Sequence, residues 1–208
     1  MDPRSNRHPS PREPLVLLGL TLLALLVSAL APYDRATWWM EVAPVLIALP
    51  ILLVTWRGFP LTPLLYRLIF LHALVLILGG YYTYARVPVG FWVQDLFDLG
   101  RNHYDRLGHL VQGFVPALVA REILLRRSPL VPGKWLFFLV TCVTLAISAT
   151  YELVEWATAV LVGEGAMEFL GTQGDPWDSQ WDMFLALIGA IAAQLLLARV
   201  QDRELGTL

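Results

Sequence analysis

Six long apolar stretches divide this chain, and polar residues cluster between them. The stretches run over about residues 15–31, 38–56, 64–82, 107–125, 135–159 and 183–200. A helix needs roughly 20 mostly apolar residues to cross a bilayer, with about 17 as a lower bound, so each can span. The first stretch resembles a secretory signal. It is long for one and lacks a convincing small-residue cleavage site, so it is read as a helix of the mature protein.

Composition agrees with this pattern. Hydrophobic residues make up 57% of the chain and charged residues 15%, with a mean hydropathy of +0.59. Soluble domains carry about 25% charged residues. The predicted fold is therefore all-α, a polytopic membrane protein with six transmembrane helices. Residues 1–14 read as a disordered cytoplasmic tail, 15–200 as the membrane domain and 201–208 as a second cytoplasmic tail. The expected partners are membrane lipids, and nucleic acid is not among them. Fourteen of the fifteen basic residues are Arg, which fits a GC-rich bacterial genome.

The basic residues predict orientation. With the N-terminus inside, eleven of the fifteen Lys and Arg lie on the cytoplasmic side. Only Arg35, Arg86, Arg101 and Arg106 lie outside. The positive-inside rule then puts both termini in the cytoplasm of a bacterial inner membrane.

Three polar clusters fall in one leaflet under this topology. The first spans residues 98–109 and holds Asp98, Arg101, His103, Asp105, Arg106 and His109. The second is Tyr151, Glu152 and Glu155 in the fifth span. The third runs from Gly171 to Asp182 and carries Asp175, Asp178 and Asp182. Ionisable groups at membrane depth are costly and mark functional sites by default. Asp105 and His109 are spaced i, i+4, as are Asp178 and Asp182. Glu152 and Glu155 are i, i+3, with Ser148 a turn earlier. Glu152 is followed by Glu155 in a span otherwise free of charge from Trp135 onward. A metal, a proton or an arginine must compensate it.

Two chemistries fit these residues. Asp105, His109, Glu152, Glu155 and Asp182 are candidate catalytic groups for proton transfer, because crowded carboxylates raise one another's pKa. His109, Glu152, Asp178 and Asp182, or Asp105 in place of one aspartate, are candidate ligands for a divalent metal such as zinc, manganese or iron. Arg101 and Arg106 either neutralise acids or hold lipid headgroups. Asp175, Pro176 and Asp178 also read as an N-cap, a proline at N1 and an acid at N3.

Elsewhere the expectations are plainer. Residues 89–99 read either as a short interfacial helix or as an aromatic-belt loop. Ala186, Gly189, Ala190 and Ala193 allow close helix packing. Cys142 stands alone and reads as a packed small residue. Glu164 and Glu168 read as a wet loop face. Glu41, Arg67 and His72 are the few ionisable groups of the first three spans, which read as scaffold.

The polar motifs carry a family resemblance. Residues 98–109, the run Tyr151-Glu152-x-x-Glu155-Trp156 and the run FLGTQGDPWDSQWDM over 169–183 resemble the YjdF-type bacterial inner-membrane proteins, a family of unknown function. The resemblance covers the second span to the end, and implies membership and location but no reaction. A second similarity is to VanZ-like membrane proteins, linked to glycopeptide-antibiotic resistance. Asp105-Arg106-x-x-His109, Glu152, and Asp182 with Gly189 carry it. The chain departs from that pattern at Arg106, where lysine is usual, and at Ala186, where asparagine is.

Three function classes stay open: an enzyme acting on a lipid or cell-envelope substrate, a lipid or small-solute binding or transport protein, and a structural membrane protein. No inverted repeat or paired broken helices favour a transporter. No Gly-x-Ser-x-Gly or His-Glu-x-x-His motif favours a familiar hydrolase.

Overall fold

The computed structural model of the chain describes residues 12–162 and 173–207. The N-terminal tail up to residue 11, Glu164, Glu168 and the first four residues of the 169–183 motif lie outside the described residues. Seven α-helices are described: α1 (Arg12–Leu30), α2 (Arg35–Thr55), α3 (Pro63–Tyr82), α4 (Pro88–Phe97), α5 (Tyr104–Arg127), α6 (Lys134–Val162) and α7 (Asp178–Leu205). All but α4 are long and apolar enough to cross a membrane. They are the six spans read from the hydrophobic pattern.

Local chemistry sets the ends. The Thr37 N–H donates to the Asp34 carboxylate at 2.7 Å, capping α2. Proline opens α3 and α4, where its missing N–H costs nothing. Asp98 ends α4 with φ 50° and ψ 47°, left-handed values that Asp tolerates better than most residues. The structure thus makes residues 88–97 a short helix. Phe91, Trp92, Leu96 and Phe97 on it are exposed.

Several expectations change here. Spans α5 and α7 extend beyond their apolar runs, because polar residues at both ends have partners inside the bundle. Helix α7 continues to Leu205, so residues 201–205 are helix, and Gln201 is fully buried. Asp175 does not head α7, which starts at Asp178. The Asp175 side chain instead accepts from the Trp177 N–H at 2.9 Å in an Asx-type turn. Cys142 is exposed on α6 rather than packed.

The bundle has two parts. Helices α1 and α2 both pack on α3, and α5, α6 and α7 form a mutually packed trio. Contact between α3 and α5 joins the parts. The α5–α7 seam is the most extensive and depends on small residues. A Cβ on Gly113 would run into the Ala186 carbonyl, and one on Gly189 into the Leu110 carbonyl. Ala186, Ala190 and Ala193 are fully buried along the same stripe.

The surface is apolar outward. Leu195 is 72% exposed and Leu196 68%, while the adjacent Gln194 is only 5% exposed. A water-facing helix would show the reverse, so these faces are built for lipid.

Candidate functional site

The N-terminal end of α5 is held in place by Asn102, which is 2% exposed. Its side-chain amide donates to the Val87 carbonyl at 3.0 Å and its side-chain oxygen accepts from the Tyr104 N–H at 3.0 Å. Gln173 donates to its backbone carbonyl at 2.8 Å, tying the turn before α7 to the start of α5. The Tyr104 hydroxyl donates to the Val75 carbonyl of α3 at 3.0 Å. These bonds set the depth and rotation at which Asp105 and His109 face the bundle.

A collar of ion pairs closes that end. Arg101 lies 2.6 Å from Asp178 and 3.4 Å from Asp175, and Arg106 lies 2.9 Å from Asp175. The Arg106 guanidinium also stands over the Trp181 ring, 5.2 Å from its centre. The two arginines thus pair with the acids at and just ahead of the start of α7. His103, just outside the span, has its pKa lowered first by burial and then by Arg106 and Arg101, so it is neutral near pH 7.

His109 is the centre of the site and is 4% exposed. Its Nε2 lies 3.6 Å from an Asp105 oxygen and 3.9 Å from an Asp182 oxygen, and its Nδ1 lies 3.8 Å from an oxygen of Glu152. Each separation is longer than a hydrogen bond. Asp105, His109 and Asp182 offer ligand atoms that all lie within 4.8 Å of one another. Among the described residues, four buried atoms here have no hydrogen-bond partner: His109 Nδ1, Glu152 Oε1, Asp182 Oδ1 and Ser148 Oγ.

A cavity of about 150 Å³ adjoins the cluster. Asp105 and His109 form one wall, Tyr151 and Glu155 another, and Glu41 and His72 a third. Tyr84 also lines it, with its ring wedged between Gly79 and Gly108. A Cβ on Gly108 would meet that ring at 2.8 Å. Thr83, one residue earlier, takes φ 56°, an uncommon conformation for a β-branched residue, at the corner that delivers Tyr84.

The structure therefore brings Asp105, His109, Glu152 and Asp182 together and sets Glu155 on the adjoining cavity. Asp178 stands apart, paired with Arg101. The scaffold reading of the first three spans needs correction: Glu41 of α2 and His72 of α3 line the same cavity. Each is a lone polar residue in an apolar run, and its partners come from other helices. The one signal in the sequence was the cost of an isolated acid at membrane depth.

Comparison with known proteins agrees with this architecture. Residues 13–203 match the family described as "Predicted membrane protein (DUF2238)", and the chain belongs to that family. It is 56% identical over 197 residues to the "Inner membrane protein YjdF" of Escherichia coli (strain K12), covering 93% of this chain and 94% of that protein. No solved structure matches. The chain is thus a multi-pass inner-membrane protein with a buried Asp105–His109–Asp182 cluster.

Proposed function

We propose that Asp105, His109 and Asp182 bind a divalent metal that activates water to hydrolyse a bond near the headgroup of a lipid or lipid-linked envelope substrate in the outer leaflet. The observation that carries this reading is the spacing around His109. Ligands about 2.0–2.2 Å from a tetrahedral zinc stand roughly 3.3–3.6 Å from one another. The Nε2–Asp105 and Nε2–Asp182 separations of 3.6 and 3.9 Å are close to that and too long for direct hydrogen bonds.

Three protein ligands leave a fourth position for water, as in catalytic rather than structural zinc sites. Bound metal would supply Lewis acidity and lower the pKa of that water. Glu152, facing Nδ1, would fix the tautomer and orientation of the ring. Glu155, on the cavity wall, would be the proton-transfer group. A metal would also offset the crowding of Asp105, Glu152 and Asp182, whose nearest ion-pair partner is His109. The metal-free alternative, a proton shared between His109 and Asp105, would draw their 3.6 Å separation down to hydrogen-bond length.

Elemental analysis of the purified protein tests this. One equivalent of zinc, manganese or iron is expected in the wild type, with loss in His109→Ala and Asp182→Asn. Glu152→Gln should keep the metal but bind it about 10–100-fold more weakly, the usual cost of losing an outer-shell partner. Wild-type protein with far less than one equivalent, and no thermal shift on adding any of the three metals, would reject the metal centre.

A further inference from the structure

A second cavity, apolar and far larger, lies on the opposite side of the same wall. It occupies about 500 Å³ between α1, α2, α3 and α5, from Leu15 and Trp56 at one end to His72 and Leu76 at the other. Pro44, His72, Leu76 and Pro116 line both cavities. Two of these are helix-interior prolines, which remove a backbone hydrogen bond and kink the helix that carries them.

The geometry points to this cleft as the binding site for a single hydrocarbon chain of an amphiphile whose polar end reaches the His109 site. The volumes divide the two roles. Ligand pockets usually occupy about 300–1,000 Å³, so the cleft holds a ligand portion of that size and the polar cavity holds only a small group. Chemistry divides them the same way. The polar cavity presents carboxylates, imidazoles and phenols, while Thr21, Tyr66 and His72 are the few polar residues along the cleft. At the junction His72 leaves its Nε2 buried and without a partner. A polar group at the top of the chain would supply one.

Other occupants fit less well. The segment ahead of α1 holds Asp2, Arg4, Arg7 and His8, which an apolar cleft would exclude. A helix from a second copy is about 10–12 Å across, too broad for a slot of this volume set between helices. A lipid chain enters from the side, past the exposed rim residues Leu15, Ile51 and Leu53, without leaving hydrocarbon. What happens at the polar end rests on the function proposed above.

Photo-crosslinking tests the cleft. The full chain would be placed in vesicles of phosphatidylethanolamine and phosphatidylglycerol that contain a phosphatidylethanolamine probe with a chain-end diazirine. Adducts would be mapped by mass spectrometry. Labelling is expected to concentrate on residues 48–52, 69–73 and 115–119, above that of the lipid-facing Leu195 and Leu196. Ala48→Trp and Ala73→Leu, which fill the cleft from different helices, should each lower cleft labelling about tenfold, as a loss of ~1.4 kcal/mol in affinity would. Leu195→Trp should leave it unchanged. Even labelling over all lipid-facing residues, indifferent to the filling variants, would mean annular lipid only and would overturn the assignment. Metal content measured on the same samples separates the two claims. Metal without cleft labelling sinks the cleft alone, and cleft labelling without metal sinks the hydrolytic reading alone.

Discussion

Glu122 and Glu152 are both carboxylates in membrane spans, and both are more than nine-tenths buried, yet their surroundings differ in kind. Glu122 lies near the C-terminal end of α5. Its oxygens accept from the Thr62 N–H at 3.1 Å, the Thr62 hydroxyl at 2.8 Å, Arg126 at 2.8 Å and Gln201 at 3.4 Å. Gln201 in turn accepts from Arg121 at 3.0 Å and donates to the Leu118 carbonyl at 2.8 Å, and Arg121 pairs with Asp202 at 2.8 Å. At the other end of the bundle Glu152, His109 and Asp182 each keep an unpartnered buried atom. Native proteins satisfy nearly all buried polar groups, so the exceptions need a reason. The Glu122 network is complete within the chain and joins the start of α3 to the ends of α5 and α7. In the His109 cluster those three atoms have no hydrogen-bond partner among the described residues, and a ligand could supply them.

The largest expected effect tests that contrast directly. Glu122→Ala should destabilise the protein by about 3–5 kcal/mol, because it takes the carboxylate from Arg126 and the acceptor from the Thr62 N–H and hydroxyl. The midpoint of unfolding in a mild detergent with increasing SDS measures this. Asp182→Asn in metal-free protein should go the other way, by roughly 0.5–2 kcal/mol, since it removes one acid from a crowded site shaped for binding rather than stability. Similar losses in both variants would erase the distinction between a structural and a functional cluster.

The two clusters also differed in how far the sequence announced them. At the His109 end, Asp105, His109, Glu152, Glu155 and Asp182 stood out because helical spacing put acids and imidazole on shared faces at equal depth. The Glu122 end gave no such sign. Gln201 lies past the last apolar run and read as tail, Arg121 and Arg126 read as ordinary cytoplasmic basic residues, and the key donor at Thr62 is a backbone N–H. A main-chain donor leaves no trace in residue identity. Glu41 and His72 were missed for a related reason: their companions come from distant helices, and pairing of spans is a tertiary property. The spans themselves were legible because crossing a bilayer demands an apolar length that local composition reports. Their ends were less so, since polar residues such as Asp178 and Gln201 extend the helices only by virtue of partners elsewhere.

A smaller effect should come from the seam that links the clusters. Gly189 lies between them on α7, against the Leu110 carbonyl and the Phe114 N–H of α5. Gly189→Leu must push the helices apart, because the neighbouring atoms are backbone and cannot rotate away. A cost of about 1–3 kcal/mol is expected, typical of overpacking. The SDS midpoint measures the stability cost, and metal content the effect on the site. The Glu122 network can follow a small separation through its long Arg and Gln side chains. The His109 cluster relies on short Asp and His side chains from both helices, so metal content should fall more sharply than stability. Loss of stability with metal content intact would show that the His109 site does not need the close α5–α7 approach.

The last expected outcome involves no change in stability and concerns which cluster faces outward. The eleven-to-four split of basic residues predicts the Glu122 end in the cytoplasm and the His109 end outside. Ser179, exposed one residue into α7, and Gly58, exposed with open space around its Cα, report on the two ends. Each would be changed to cysteine in a Cys142→Ser background, a harmless replacement on an exposed face. Ser179→Cys should react with a membrane-impermeant maleimide in intact spheroplasts, and Gly58→Cys only after lysis. The physical reason is that Arg126 and Arg127, with Arg57 beside them in the loop, resist transfer across the bilayer, while Arg101 and Arg106 at the other end are offset by Asp175 and Asp178. The reverse labelling pattern would leave both clusters intact as structures. It would move the proposed substrate from the outer leaflet to the cytoplasmic one, and with it the pool of lipids from which a chain could enter the cleft.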